Sequence, residues 1–123
     1  MIRGIANADR EAIIRLLVRG PAGQRQRIKA VIDTGFDGWL SLPPALIAVL
    51  GLPWRRHGRP ILADGSERPF DIYEATVIWD RRPRPIAVDE ADTTPLIGMA
   101  LMEGYELRMQ VRRRGKVTLQ AMP

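Results

Sequence analysis

Apolar and polar positions alternate with a period of two on both sides of a Gly/Pro turn early in the chain. In Ala12–Arg19, Ile14, Leu16 and Val18 alternate with Arg15, Leu17 and Arg19. After Gly20-Pro21-Ala22-Gly23, Ile28, Ala30 and Ile32 alternate with Arg27, Lys29 and Val31. Successive side chains of a strand point to opposite faces, so this pattern predicts a β-hairpin with one buried face. A helix from Asp9-Arg10-Glu11-Ala12 to Gly20 also suits the propensities of the first arm, but it would leave the clearer second arm without a partner. The second arm enters Asp33-Thr34-Gly35-Phe36-Asp37-Gly38 and then a short apolar piece, Trp39-Leu40-Ser41-Leu42. Ser41 falls just ahead of a helix start. Proline is accepted in a first turn, and Ala45–Leu50 reads as a short helix stopped by Gly51 and Pro53.

Downstream, Trp54–Pro60 reads as a basic, irregular connection. Ile61-Leu62-Ala63 and Pro69–Trp79 read as strands around Asp64-Gly65-Ser66, an Asp-Gly hairpin signal. Ile86-Ala87-Val88 is a further short strand, and Pro95-Leu96-Ile97-Gly98 leads into one helical turn at Met99–Met102. Tyr105–Val111 and Lys116–Gln120 flank Arg112-Arg113-Arg114-Gly115 as a last hairpin. Many short strands with one or two small helices predict an all-β protein. No repeat or linker divides the chain, so residues 1–123 are expected to form one domain.

Composition narrows the chemistry. There is no Cys, which excludes disulfides, thiolate zinc sites and Cys nucleophiles, and the one His excludes a zinc site built on several His ligands. That residue, His57, lies in the hydrophilic run Trp54–Arg59 and reads as a solvated loop histidine. Trp39, Trp54 and Trp79 read as core or interface anchors. Asp89-Glu90-Ala91-Asp92 lacks the spacing of a cation-binding loop and reads as an exposed acidic turn. The chain carries neither a Gly-x-Gly-x-x-Gly fingerprint nor a phosphate-binding loop. The N-terminus lacks a signal peptide's apolar core, and the stretch Pro43–Pro53 is shorter than the roughly 20 residues a membrane span needs. A soluble, cytoplasmic protein without a membrane partner is expected. The net charge is +5, from 19 Lys plus Arg against 14 Asp plus Glu. Arg55-Arg56, Arg81-Arg82-Pro83-Arg84 and Arg112-Arg113-Arg114 are separated along the chain and not interleaved with stacking aromatics. This disfavours nucleic acid as the partner.

The segment Ala30-Val31-Ile32-Asp33-Thr34-Gly35, followed by Phe36-Asp37-Gly38-Trp39-Leu40 and later by Leu96-Ile97-Gly98, resembles the retropepsin-like aspartic proteases, in particular small bacterial single-domain members. The resemblance runs from about Ile13 to Leu119 in matching order: hairpin, Asp-Thr-Gly loop, short helix, flap hairpin, apolar-apolar-Gly, final strands. It implies a closed β-barrel, no metal or organic cofactor, and a peptide or protein substrate. Asp33 is the implied catalytic carboxylate, with Thr34 and Gly35 supporting its loop and Leu96, Ile97 and Gly98 packing behind it. Phe36 and Asp37 are the implied substrate contacts beside the carboxylate, and Ala63, Asp64, Gly65 and Ser66 those of the flap. Met99-Ala100 depart from the charged and polar pair of retroviral enzymes, and the chain ends do not resemble the strands that interleave in viral dimers.

Two carboxylates sharing one proton can hydrolyse an amide without a metal or a nucleophilic side chain. One ionised carboxylate takes a proton from water while its protonated neighbour polarises the carbonyl. Acids about 3 Å apart cannot both ionise, so their pKa values separate without further machinery. This sequence contains one such loop, because Asp92-Thr93-Thr94 lacks the glycine and Asp64-Gly65-Ser66 has the wrong order. A complete dyad therefore requires a second copy across a two-fold axis, so a homodimer is expected. Two other readings of the sequence stay open: a non-catalytic binding or dimerisation module on the same fold, and a basic nucleic-acid-binding β domain.

Overall fold

A computed structural model describes residues 1–58, 64–66 and 69–123. The hairpin predicted from alternation forms as β2 (Ala12–Arg19) and β3 (Arg25–Ile32), paired from Ile13↔Val31 to Arg19↔Arg25. Ile14, Leu16 and Val18 of β2 and Ile28 and Ala30 of β3 face the core, whereas Arg15, Arg19, Arg27 and Lys29 face outward. Burial of the apolar face fixes this register, because a one-residue slip would carry the whole set to the solvent side. Before the hairpin, the chain starts with a strand that the sequence pattern does not announce, β1 (Ile2–Ala6).

Next come β4 (Leu40–Leu42) and α1 (Pro44–Leu50), which buries Ile47 and Leu50. Pro43 takes the cap position and Pro44 the first turn, where no intrahelical donor is lost. Gly51 ends the helix in the left-handed region at φ 59°, a conformation that glycine adopts without a Cβ penalty. Ser41 does not cap this helix. It lies within β4 at 4% exposure, and its hydroxyl has no hydrogen-bond partner among the described residues.

Trp54–Gly58 forms a strand, β5, where an irregular connection was expected. It pairs with β6 (Phe70–Trp79) at one edge of the sheet. The strand expected at Ile61-Leu62-Ala63 lies outside the described residues. The strand expected at Ile86–Val88 is longer, β7 (Arg82–Glu90), and it pairs with β6 from Trp79↔Arg82 to Ile72↔Asp89. Then follow β8 (Leu96–Ile97), α2 (Met99–Met102), β9 (Tyr105–Met109) and β10 (Lys116–Ala121). Among the described residues, no helix is long and apolar enough to cross a membrane.

The strands run in the order β5-β6-β7-β4-β8-β3-β2-β1-β10-β9. The far end of β2 also pairs with β6, through Leu17↔Ile78, Val18↔Val77 and Arg19↔Thr76. That contact closes β6, β7, β4, β8, β3 and β2 into a six-stranded barrel, the all-β closed architecture expected from the sequence. Leu40, Val77, Val88, Ile97 and Ile14 fill it without measurable exposure. Outside the barrel, β1 lies between β2 and β10, with Ile2 opposite Leu119 and Ile5 opposite Lys116, so the two ends of the chain pair with each other. The Met1 ammonium and the Tyr105 hydroxyl both donate to Asp80, at 3.1 and 3.0 Å. The ammonium bond, with the Tyr105 bond second, holds the Asp80 carboxyl below the usual range.

Asp80 and Arg81 turn β6 into β7 at φ 50° and 71°. A two-residue hairpin with both φ values positive suits the strand twist, but it costs non-glycine residues steric energy. Arg81→Gly is therefore expected to stabilise the fold by about 0.5–1 kcal/mol after allowing for the greater freedom of the unfolded glycine chain, read as a higher melting temperature.

Candidate active site

Asp33 stands where β3 leaves the barrel. The chain goes out through residues 33–38 and returns as β4, and β8 fits between the two departing strands. It runs parallel to β3 (Val31↔Leu96, Ile32↔Ile97) and antiparallel to β4 (Leu40↔Ile97, Ser41↔Leu96). The loop is thereby pinned at both shoulders. Val31 N–H donates to Pro95 O at 2.9 Å, Asp33 N–H to Ile97 O at 3.0 Å, and Gly98 N–H to Trp39 O at 3.0 Å. Past Gly98, Met99 N–H donates to Phe36 O (2.8 Å) and Ala100 N–H to Gly38 O (3.0 Å). Leu96, Ile97 and Gly98 thus lie directly behind the Asp-Thr-Gly loop.

Close approach is what the glycine at 98 permits. A Cβ built there would fall 2.0 Å from Gly38 O and 2.8 Å from the Phe36 ring. Phe36 is half-buried, with its ring laid against Gly38 and Gly98. Inside the loop, Phe36 N–H donates to Asp33 O at 3.1 Å, closing a tight turn. Gly35 N–H donates to Asp33 Oδ1 at 2.9 Å, orienting the carboxylate, while no hydrogen bond among the described residues reaches Oδ2. Asp33 is half-buried, and Thr34, Gly35 and Asp37 are exposed. The loop therefore presents one oriented carboxylate, whose second oxygen accepts no hydrogen bond from the described residues.

Asp37 has a neighbour that the sequence reading missed. Asp89 was expected in an exposed acidic turn, but Asp89 and Glu90 complete β7, and Asp89 is flanked in register by Ile72 and Ser41. A Cβ at Gly38 would lie 3.4 Å from Asp89 Oδ2, which places this carboxylate against the loop. Burial raises the Asp89 pKa, Asp37 adds to the rise, and Arg56 opposes both. The folded protein therefore disfavours the ionised form. Its stability falls as pH climbs from the unfolded value near 3.8 through the raised folded value, and the cost persists above that. Asp89→Asn is expected to raise the melting temperature at neutral pH, with the gain shrinking to nothing in acid, as thermal denaturation across pH would show.

Where the resemblance implies a flap, β5 and β6 pair from Trp54↔Tyr73 to Gly58↔Phe70, while the first arm expected from the sequence, Ile61-Leu62-Ala63, lies outside the described residues. Between them in the chain, Ser66 donates its N–H to Asp64 Oδ1 at 2.9 Å, and Gly65 adopts φ 83°. The Ser66 hydroxyl and then its N–H lower the Asp64 pKa. Ala63 lies outside the described residues. His57 is exposed as expected, though on β5, where it meets Asp71 at 3.0 Å and packs edge-on to Trp54. Trp54 is half-exposed and not part of the core. Trp79 is buried, and Trp39 is covered by the Arg84 guanidinium 4.8 Å from its ring.

A barrel with β8 threaded behind an Asp-Thr-Gly loop is the retropepsin-like fold. Solved structures share it, two of which illustrate the likeness. A retropepsin-like aspartic protease from Rickettsia conorii superposes with a TM-score of 0.62 at 18% identity, over 99% of this chain and 91% of that one. The EIAV protease complexed with the inhibitor HBY-793 superposes with a TM-score of 0.57 at 17% identity, over 79% and 89%. At these identities the likeness is one of fold. No family model and no curated protein matches the chain.

Proposed function

We propose that this protein is an aspartic endopeptidase whose active form is a homodimer, with Asp33 of each copy supplying one carboxylate. The observation that carries this reading is the state of Asp33, held by the Gly35 N–H at one oxygen, backed by β8, and open at the other. Such a group is half of an acid pair. With a second Asp33 beside it, the two share one proton. The ionised carboxylate takes a proton from a water molecule as its oxygen bonds to the substrate carbonyl carbon, and the protonated one donates to the carbonyl oxygen. Collapse of the resulting diol breaks the C–N bond as the amide nitrogen takes up a proton, and the pair is regenerated. Thr34 is suited to hold one loop to its twin, Asp37 to meet the substrate backbone, and Asp64–Ser66 to close over it.

The test is cleavage of a peptide library by the purified full chain, with light scattering at the same concentration. Cleavage blocked by a hydroxyl-bearing peptide analogue, from a dimer, supports the reading. Cleavage by a strict monomer, or none from a proven dimer over the acidic to neutral range, overturns it.

A further inference from the structure

On the outer face of β1, β2 and β3, the register collects cations that are scattered in the sequence. Arg15 and Lys29 stand directly opposite each other across β2 and β3, and Arg19 stands opposite Arg25. Like charges placed opposite each other across strands are destabilising. No ion pair among the described residues relieves them. Arg3, Ile5, Asn7, Ile13, Arg15 and Lys29 line a groove of about 550 Å³ that contains no acid. Arg15 and Lys29 also wall an adjoining depression of about 250 Å³ with Arg27. Ile5 is 48% exposed on the groove. The face thus joins a stripe of unneutralised cations to an aliphatic strip, at a cost to the fold.

We propose that this face docks an extended acidic polypeptide segment that alternates carboxylates with aliphatic side chains. Its carboxylates meet Arg3, Arg15 and Lys29, and its aliphatic groups cover Ile5 and Ile13. No aromatic side chain lines the groove, so it offers unstacked bases no platform, and a phosphate backbone has nothing to place on the isoleucines. A second copy of the chain would bring the same cations to face these, so self-association through this face is opposed. Lys29 on β3 and Asp33 just past its end are four residues apart, so their backbones lie roughly 13 Å apart. Docking is a property of the outer face of β1, β2 and β3 and does not rest on the hydrolytic reading.

The test is fluorescence anisotropy of a labelled peptide of alternating Glu and Val against the full chain, in the Asp33→Asn background so that cleavage cannot consume the probe. Its Gln-for-Glu counterpart, a DNA duplex and anionic lipid vesicles are measured alongside. The acidic peptide is expected to bind with an affinity that falls with salt. Lys29→Glu is expected to weaken it about tenfold or more while raising the melting temperature, because a carboxylate opposite Arg15 relieves the like-charge pair. A purely structural role for Lys29 would move binding and stability in the same direction. Unchanged peptide affinity in Lys29→Glu, equal binding of the Gln peptide, or tighter binding of the duplex or the vesicles would overturn the proposal.

Discussion

Replacing Asp33 by Asn is expected to lower kcat/KM for peptide hydrolysis by about 10²–10⁴-fold, the range attributed to a positioned acid or base. The amide keeps the carboxylate's shape and can still accept the Gly35 N–H at its oxygen, so the fold and its melting temperature should change little. The chemistry loses a group that can take a proton from water and hand it back. Mixing chains sharpens the test. If each active site needs two Asp33 carboxylates, equal amounts of wild-type and Asp33→Asn chain, re-equilibrated, leave about one quarter of the dimers intact. Activity should fall to that fraction of an undiluted wild-type control with the same total chain. A fall to one half would point to a site complete within one chain.

Gly98→Ala is expected to be strongly damaging to both fold and activity. The added methyl would stand 2.0 Å from Gly38 O, a backbone atom that cannot rotate away. To make room, the turn after β8 must move off the loop. That motion threatens Gly98 N–H to Trp39 O, Met99 N–H to Phe36 O and Ala100 N–H to Gly38 O together. Overpacking of this kind costs on the order of 3 kcal/mol, which for a domain of this size corresponds to roughly 10 °C in melting temperature. Thermal denaturation followed by circular dichroism would show it. Peptide cleavage should fall even at temperatures where the variant stays folded, because Asp33 is oriented by the same clamp.

Legibility in the sequence followed burial. The β2–β3 hairpin was readable because one face is apolar at every second position and the other is charged. The Asp33 loop and its Leu96-Ile97-Gly98 backing were readable because each is a contiguous motif between apolar strands. β1 was missed because Gly4 interrupts its inward-facing positions, leaving Ile2 and Ala6 too far apart to signal a period. β5 was missed because it is an edge strand whose first four residues are exposed, and without a buried face there is no alternation to see. The β6–β7 turn was hidden because Asp80 and Arg81 adopt positive φ without the glycine that normally marks such a position. Asp89 was misread for a related reason. It opens the acidic run Asp89-Glu90-Ala91-Asp92, but its surroundings come from Ile72, Ser41 and Gly38, which only the folded register supplies.

The pairing of β1 with β10 bears on how a second copy would join. Since Ile2–Ile5 already have Leu119–Lys116 as partners, the terminal strands have no unmet backbone groups on that side to lend to another molecule. A dimer of the proposed kind would then draw on other groups, the side chains around the Asp33 loop among them. Dilution would then separate the subunits without melting them, and turnover would depend on how much protein is present.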